Sequence, residues 1–137
     1  MDLAAMGALL DSVDTVVVVG CSADPAKAAH QVPAQLQRAG FRVIPVNPRG
    51  GEILGEHAYR NLAEVPPPVE LVDVFRPSAE APDVACQAAA AGARILWLQE
   101  GITSNEARSV AEGAGMAFVE DACIAVVRSV NRIVKAR

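Results

Sequence analysis

Five short aliphatic runs, each set off by a loop and a helix-forming segment, narrow what this chain can fold into. The runs are TVVVVG (15–20), FRVIPVN (41–47), VELVDVF (69–75), ARILWLQ (93–99) and MAFVE (116–120). The first is a continuous β-branched stretch, the pattern of a strand buried on both faces. Helices are expected over PAKAAHQVPAQLQRAG (25–40), SAEAPDVACQAAAAG (78–92) and TSNEARSVAEGAG (103–115), with a last one from Cys123 to Arg137. Asp24 and Pro25 suit the start of the first of these and Gly40 its end, while Pro33 should kink it. Ser78 is a candidate cap, and Thr103 and Glu106 have capping-box spacing. The connection 48–68, rich in Gly and Pro, is expected to hold one short helical turn at NLAEV.

Strands alternating with helices imply an α/β fold with parallel strands and right-handed crossovers. The simplest arrangement is a Rossmann-like five-stranded parallel sheet, order 3-2-1-4-5, with helices on both faces. Residues 1–14 are read as a short amphipathic helix packed outside the main fold, and 15–137 as a single domain. In such a sheet the chain reverses direction between the first and fourth strands. Ligands bind there, outside the carboxyl ends of the strands. Topology alone therefore selects the loops 20–25, 47–52, 75–78 and 99–103.

Composition removes several classes. The chain has 137 residues, 52% of them apolar, and a net charge of −4. That is enough apolar residue for a core without staples. It leaves nucleic acid a poor partner, so an anionic ligand would need a local positive site. No segment reads as a signal peptide or membrane span, and a cytoplasmic protein is expected. Three scattered cysteines and two histidines give neither a disulfide framework nor metal-ligand spacing, so no metal site is expected.

The first loop, GCSADP, turns at Gly20 and offers the Ser22 hydroxyl. A helix N-terminus behind it, with Lys27 in its first turn, suits phosphate. Ser22 and Asp24 equally suit a purely capping role. The second loop follows PVNPRG and carries Asn47, Pro48 and Arg49, where a conventional NAD site has an acid to hold the ribose. Arg49 can meet a phosphate on the ribose or simply be solvated. The third loop places Phe75 and Arg76 at a strand end, beside a flat group and a phosphate or as a core Phe and a surface Arg. The fourth carries Gln99 and Gly101, while Trp97 belongs to the core.

The segments VVGCSADPAK, GFRVIPVNPRGGEILGEHAYRNLAEVPPPVELVDVFR, GARILWLQEGI and EDACI together resemble the small stand-alone CoA-binding domain family. That family is related to the CoA-binding domain of succinyl-CoA synthetases and NDP-forming acyl-CoA synthetases. The resemblance implies a Rossmann-type fold that takes coenzyme A. It places Gly20, Ser22 and Lys27 on the pyrophosphate side; Cys21, in the same loop, and Arg49, in the next, are counted with the cofactor-binding residues. Val46, Asn47 and Pro48 would lie by the adenosine, with Phe75 and Arg76 nearby, and Gln99 and Gly101 would face the pantetheine arm. The chain departs from the family pattern at Ala29, His30, Pro33 and Ala122.

No nucleophile elbow or triad signature occurs. Cys21, at the start of a loop before a helix, is the one nucleophile candidate weighed, against its ordinary role as a small buried residue. The expected function is non-catalytic binding of coenzyme A or a short acyl-CoA, as carrier, sensor or regulatory module. An NAD(P)-binding redox enzyme or sensor is the alternative. The N-terminal helix and the apolar C-terminal stretch suggest a homodimer.

Overall fold

The computed structural model describes residues 1–136. Its elements run α1 (Leu3–Asp11), β1 (Thr15–Val19), α2 (Ala28–Arg38), β2 (Arg42–Val46), β3 (Glu52–Ile53), β4 (Glu56–His57), β5 (Leu71–Val74), α3 (Ala81–Ala90), β6 (Ile95–Leu98), α4 (Asn105–Gly113), β7 (Ala117–Val119) and α5 (Ile124–Val130). Five strands form one parallel sheet in the order β2-β1-β5-β6-β7, and β3 and β4 form a separate hairpin. This is the α/β, Rossmann-like parallel sheet that the alternating runs imply, with helices on both faces.

Within that class one detail differs from the order 3-2-1-4-5. The third long strand, β5, pairs with β1 on the side away from β2, so the order by long strands is 2-1-3-4-5. Pro45 accounts for it. In β2 the groups of Val46 face β1, since its carbonyl accepts from Gly20 N–H. Those of Pro45 face outward, where its carbonyl accepts from Tyr59 N–H. An inner strand would need a donor at Pro45, and proline has none, so β2 belongs at the edge. The reversal of chain direction accordingly lies between β1 and β5, and the loops after those two strands flank the switch point.

Alternation along each strand builds two apolar layers. Val16, Val18, Val43, Leu71, Ile95 and Trp97 pack with residues of α1, α2 and α5. Val17, Val19, Ile44, Val72, Leu96 and Phe118 pack with α3, α4 and the turn at Leu62–Glu64. Trp97 is wholly buried and its indole N–H donates to the Ala122 carbonyl (2.9 Å), which satisfies the one polar atom it carries into the core. The N-terminal helix is joined to this core rather than lying outside it. Leu10 and Val13 are fully covered, and Asn131 Nδ2 beyond α5 donates to the Leu3 carbonyl (3.0 Å).

Four helix boundaries shift from their expected places. α3 starts at Ala81, and the Ser78 hydroxyl accepts from Thr103 N–H (3.1 Å) instead of capping it. α2 starts at Ala28, because Asp24 uses its carboxylate on Ala26 N–H (2.9 Å) in a local turn. α4 is capped by Ser104, whose hydroxyl accepts from Ala107 N–H (3.0 Å), and not by Thr103. α5 ends at Val130, and Arg132 in the left-handed region (φ 54°) turns the tail back toward α2. There Lys135 N–H donates to the Ala39 carbonyl. No helix of the described residues is long and apolar enough to cross a membrane.

Candidate functional site

Gly20 ends β1 with φ +86°, and a Cβ there would stand 2.5 Å from the Phe75 carbonyl oxygen. Only glycine lets the loops after β1 and β5 approach this closely. The loop that follows is tied down by its own groups. Asp24 N–H donates to Ser22 Oγ (3.0 Å), and Ser22 N–H donates to the Ala29 carbonyl (3.0 Å). That last bond is made available by Pro33. An ordinary residue at 33 would send its N–H to the carbonyl four residues back, which is Ala29; proline cannot. The freed carbonyl holds the loop instead. Ala23 keeps its N–H without a protein acceptor among the described residues.

Asn47 joins this loop to the one after β2. Its Nδ2 donates to the Cys21 carbonyl (2.8 Å) and its Oδ1 accepts from Arg49 N–H (2.8 Å). A carboxylate at this position could accept but not donate, and would set its charge against the Cys21 carbonyl. The missing acid of a conventional NAD site thus has a structural reason.

These loops wall a cleft of about 650 Å³ lined by Ser22, Ala23, Asp24, Lys27, Asn47, Pro48, Arg49, Gly50, Ile53 and Arg76. Three cations meet one carboxylate there, on a chain whose net charge is −4. Arg76 is held by Glu80 (Nη2–Oε1 2.8 Å), a pair that solvent reaches on both sides and that holds only weakly. A second cavity of about 180 Å³ adjoins the cleft across Pro48 and Arg76, with Val19, Gly20, Val46, Leu62 and Val84 among its walls. Of the twelve residues expected at the site, Ser22, Lys27, Asn47, Pro48, Arg49 and Arg76 line the cleft. Gly20 and Val46 line the second cavity.

The other four stand apart. Cys21 is fully buried with its side chain in the core, and burial, aided by the charge of Asp73, pushes its thiol up to about 12. Phe75 is half-buried and packs on the same core layer. Gln99 is buried with its amide spent inside the protein. Its Nε2 donates to Asp73 Oδ1 (2.6 Å) and its Oε1 accepts from Ile124 N–H (3.3 Å). Gly101 is exposed, its N–H held by Asp121 Oδ1 (2.7 Å).

Gln99 leads to a residue that sequence reasoning missed. Asp73 is fully buried in the middle strand, with Oδ2 unpartnered, and burial raises its carboxyl from 3.8 to about 8. The signal was present as an acid inside the apolar run VELVDVF. Arg60, beside Gly50, also lines the second cavity and had no motif to mark it.

A parallel α/β sheet whose switch point carries a cationic cleft defines a Rossmann-like domain with its open loops at the carboxyl ends of β1, β2 and β5. The chain belongs to the CoA-binding domain family, whose model matches residues 14–129. It is 35% identical over 124 residues to the protein YneT of Bacillus subtilis (strain 168), covering 90% of this chain and 92% of YneT. A Thermus thermophilus protein of solved structure, cell-free ID.343, superposes with a TM-score of 0.89 at 36% identity, covering 96% of this chain and 99% of that one. A stretch of 63 residues is 36% identical to the alpha subunit of acetate–CoA ligase (ADP-forming) II of Pyrococcus furiosus. That match spans 45% of this chain and 14% of the subunit.

Proposed function

We propose that this chain binds coenzyme A or a short acyl-CoA and holds it without transforming it. The observation that carries this reading is the cleft itself: Lys27, Arg49 and Arg76 converge at the switch point, and Asn47 stands where a dinucleotide site would place an acid. The residues fit the ligand. Coenzyme A brings a diphosphate and a ribose phosphate, and such a ligand needs several cations and no carboxylate clamp. In this reading Ser22, Ala23 N–H and Lys27 hold the diphosphate, and Arg49 takes the phosphate on the ribose. The adenosine lies along Val46, Asn47 and Pro48. The pantetheine arm leaves past Arg76 toward Gly101, with Gln99 supporting the floor beneath. Binding without chemistry is favoured by Cys21, whose thiol is buried and held protonated.

Thermal unfolding with coenzyme A, acetyl-CoA, NAD and NADP tests the reading. A ligand at 100 times its Kd stabilises by about 2.7 kcal/mol. Coenzyme A and acetyl-CoA are expected to shift the transition and NAD to leave it in place; a shift with NAD or NADP alone would overturn the reading. Ser22→Asp puts a negative charge against the diphosphate. It should weaken coenzyme A binding by more than about tenfold, or about 1.4 kcal/mol, measured by calorimetry.

A further inference from the structure

We propose that two copies of this chain join through the outward face that α1 shares with α5 and the tail after it. The exposed large apolar side chains of the described residues are Met1, Leu3, Val126, Val130 and Val134, and all five belong to these two ends of the chain. Val126 and Val130 stand one helical turn apart on α5. Asn131, next along, donates from Nδ2 to the Leu3 carbonyl (3.0 Å), which brings the start of α1 beside them. The two helices are locked there, since a Cβ at Gly7 would run into the Asn131 side chain. The five side chains offer on the order of 500 Å² of apolar area, the greater part of the about 800 Å² that each partner buries in a standard interface. A hollow of about 400 Å³ lies on the seam, lined by Ala4, Ala8 and Asp11 from α1 and by Arg132 and Val134 from the tail.

Charge selects the occupant. Residues 1–14 carry three acids, Asp2, Asp11 and Asp14, and no lysine or arginine. Residues 124–136 carry three cations, Arg128, Arg132 and Lys135, and no acid. Lys135 reaches Asp11 (3.4 Å) and Asp14 (3.7 Å) within the chain. Arg132 makes no ion pair among the described residues, and it shares the hollow with Asp11. The face is thus neutral on a chain of net charge −4, and its charge draws neither a basic protein nor an acidic lipid surface. What it complements is its own image. A two-fold axis along the seam sets α1 of each copy against the tail of the other, so that acids meet cations twice over, Asp11 beside the partner's Arg132. No residue lining the cationic cleft lies on this face, so pairing leaves both clefts open and does not depend on what they bind.

The test is sedimentation equilibrium of the full chain. Wild type should show twice its 14.3 kDa mass at micromolar concentration. Val130→Asp and Val134→Asp each put an acid into the apolar part of the face, at positions 56% and 73% exposed where folding is not at stake. Each should raise the Kd of the dimer more than about tenfold, which is about 1.4 kcal/mol. Arg132→Glu and Asp11→Arg should each weaken the dimer alone, by setting like charges against each other. Mixed in equal amounts, those two variants should dimerise again, since every mixed pair holds one native contact and one with its charges reversed. A dimer that survives both valine substitutions, or charge variants that stay apart when mixed, overturns the proposal. So does a single-chain mass at every concentration, and flotation of that monomer on phosphatidylcholine vesicles would give the face to a lipid surface instead.

Discussion

Asp73 lies fully buried between Val18 and Trp97, one carboxyl oxygen bound by Gln99 and the other without a partner. Burial is the first cause of its raised pKa, and the Gln99 hydrogen bond opposes it only in part. The consequence for stability has a definite sign. Between about pH 4 and 8 the folded chain keeps a proton that the unfolded chain releases, so this residue makes the protein progressively less stable as pH rises across that window. Asp73→Asn keeps an acceptor for Gln99 and carries no charge. Its melting temperature relative to wild type should climb from about pH 4.5 to 8 and then level off. A constant difference across that range would show that Asp73 is already ionised at low pH. The acid itself was legible as a polar letter in an apolar run, but its depth was not. Whether an inward residue of a strand is covered depends on what α5 lays over it, and α5 lies fifty residues further along the chain. Asn47 was legible as a residue in the right loop, but not as the tie between two loops, because its partner at Cys21 is remote in sequence.

At the scale of elements, Pro33 shows a helix giving up one of its own bonds to shape a loop. Proline in a helix interior costs about 3 kcal/mol relative to alanine. In α2 the cost is partly offset, since the carbonyl freed at Ala29 is taken by Ser22 N–H. Pro33→Ala would let residue 33 reclaim that carbonyl. The expected result is a chain as stable as wild type or up to about 3 kcal/mol more stable, with coenzyme A affinity lowered about threefold or more as the loop loosens. Denaturant unfolding and calorimetry read the two effects separately, and equal affinity in the variant would show that the bond does not position the loop. Taken within α2 alone, Pro33 predicts only a kink, because the loop it shapes lies outside the helix. Pro45 carried a clearer message, since a proline inside a strand marks an edge, and weighing it would have moved β5 to the other side of β1. The hairpin β3–β4 left almost no trace in the sequence. Its strands are two residues each, too short for alternation to register, and its turn uses Leu54 and Gly55 at positive φ.

For the molecule as a whole, an acidic chain brings three cations, Lys27, Arg49 and Arg76, to one cleft. Screening limits each exposed charge to a reach of about 8 Å at physiological salt, so the cations of the cleft act locally and the net charge of −4 opposes them little. Arg49 can then be examined through the ligand's own phosphates. Arg49→Ala should lower affinity for coenzyme A about fivefold to tenfold and leave dephospho-CoA, which lacks the ribose phosphate, nearly untouched. An equal loss for both ligands would move Arg49 to the diphosphate. Fold class and the three loops that wall the cleft, after β1, β2 and β5, were legible in the order of strands and helices, because a parallel sheet fixes which end of each strand is open. The fourth, 99–103, goes with a reversal set between the first and fourth strands and lies outside the cleft. The division of labour within those loops did not follow. Supporting and ligand-facing residues are both polar letters after a strand, and only their partners in space tell them apart.

Pro45 and Tyr59 also bear on how copies of this chain can meet. Along the outer side of β2 one amide is missing, one carbonyl is taken, and Asn47 N–H is already donated to Tyr59. A neighbouring polypeptide seeking to stack onto the sheet would find the ladder interrupted at Pro45 and Asn47, so fibre growth by strand capture is discouraged at this end of the flank without any charge being spent on the task.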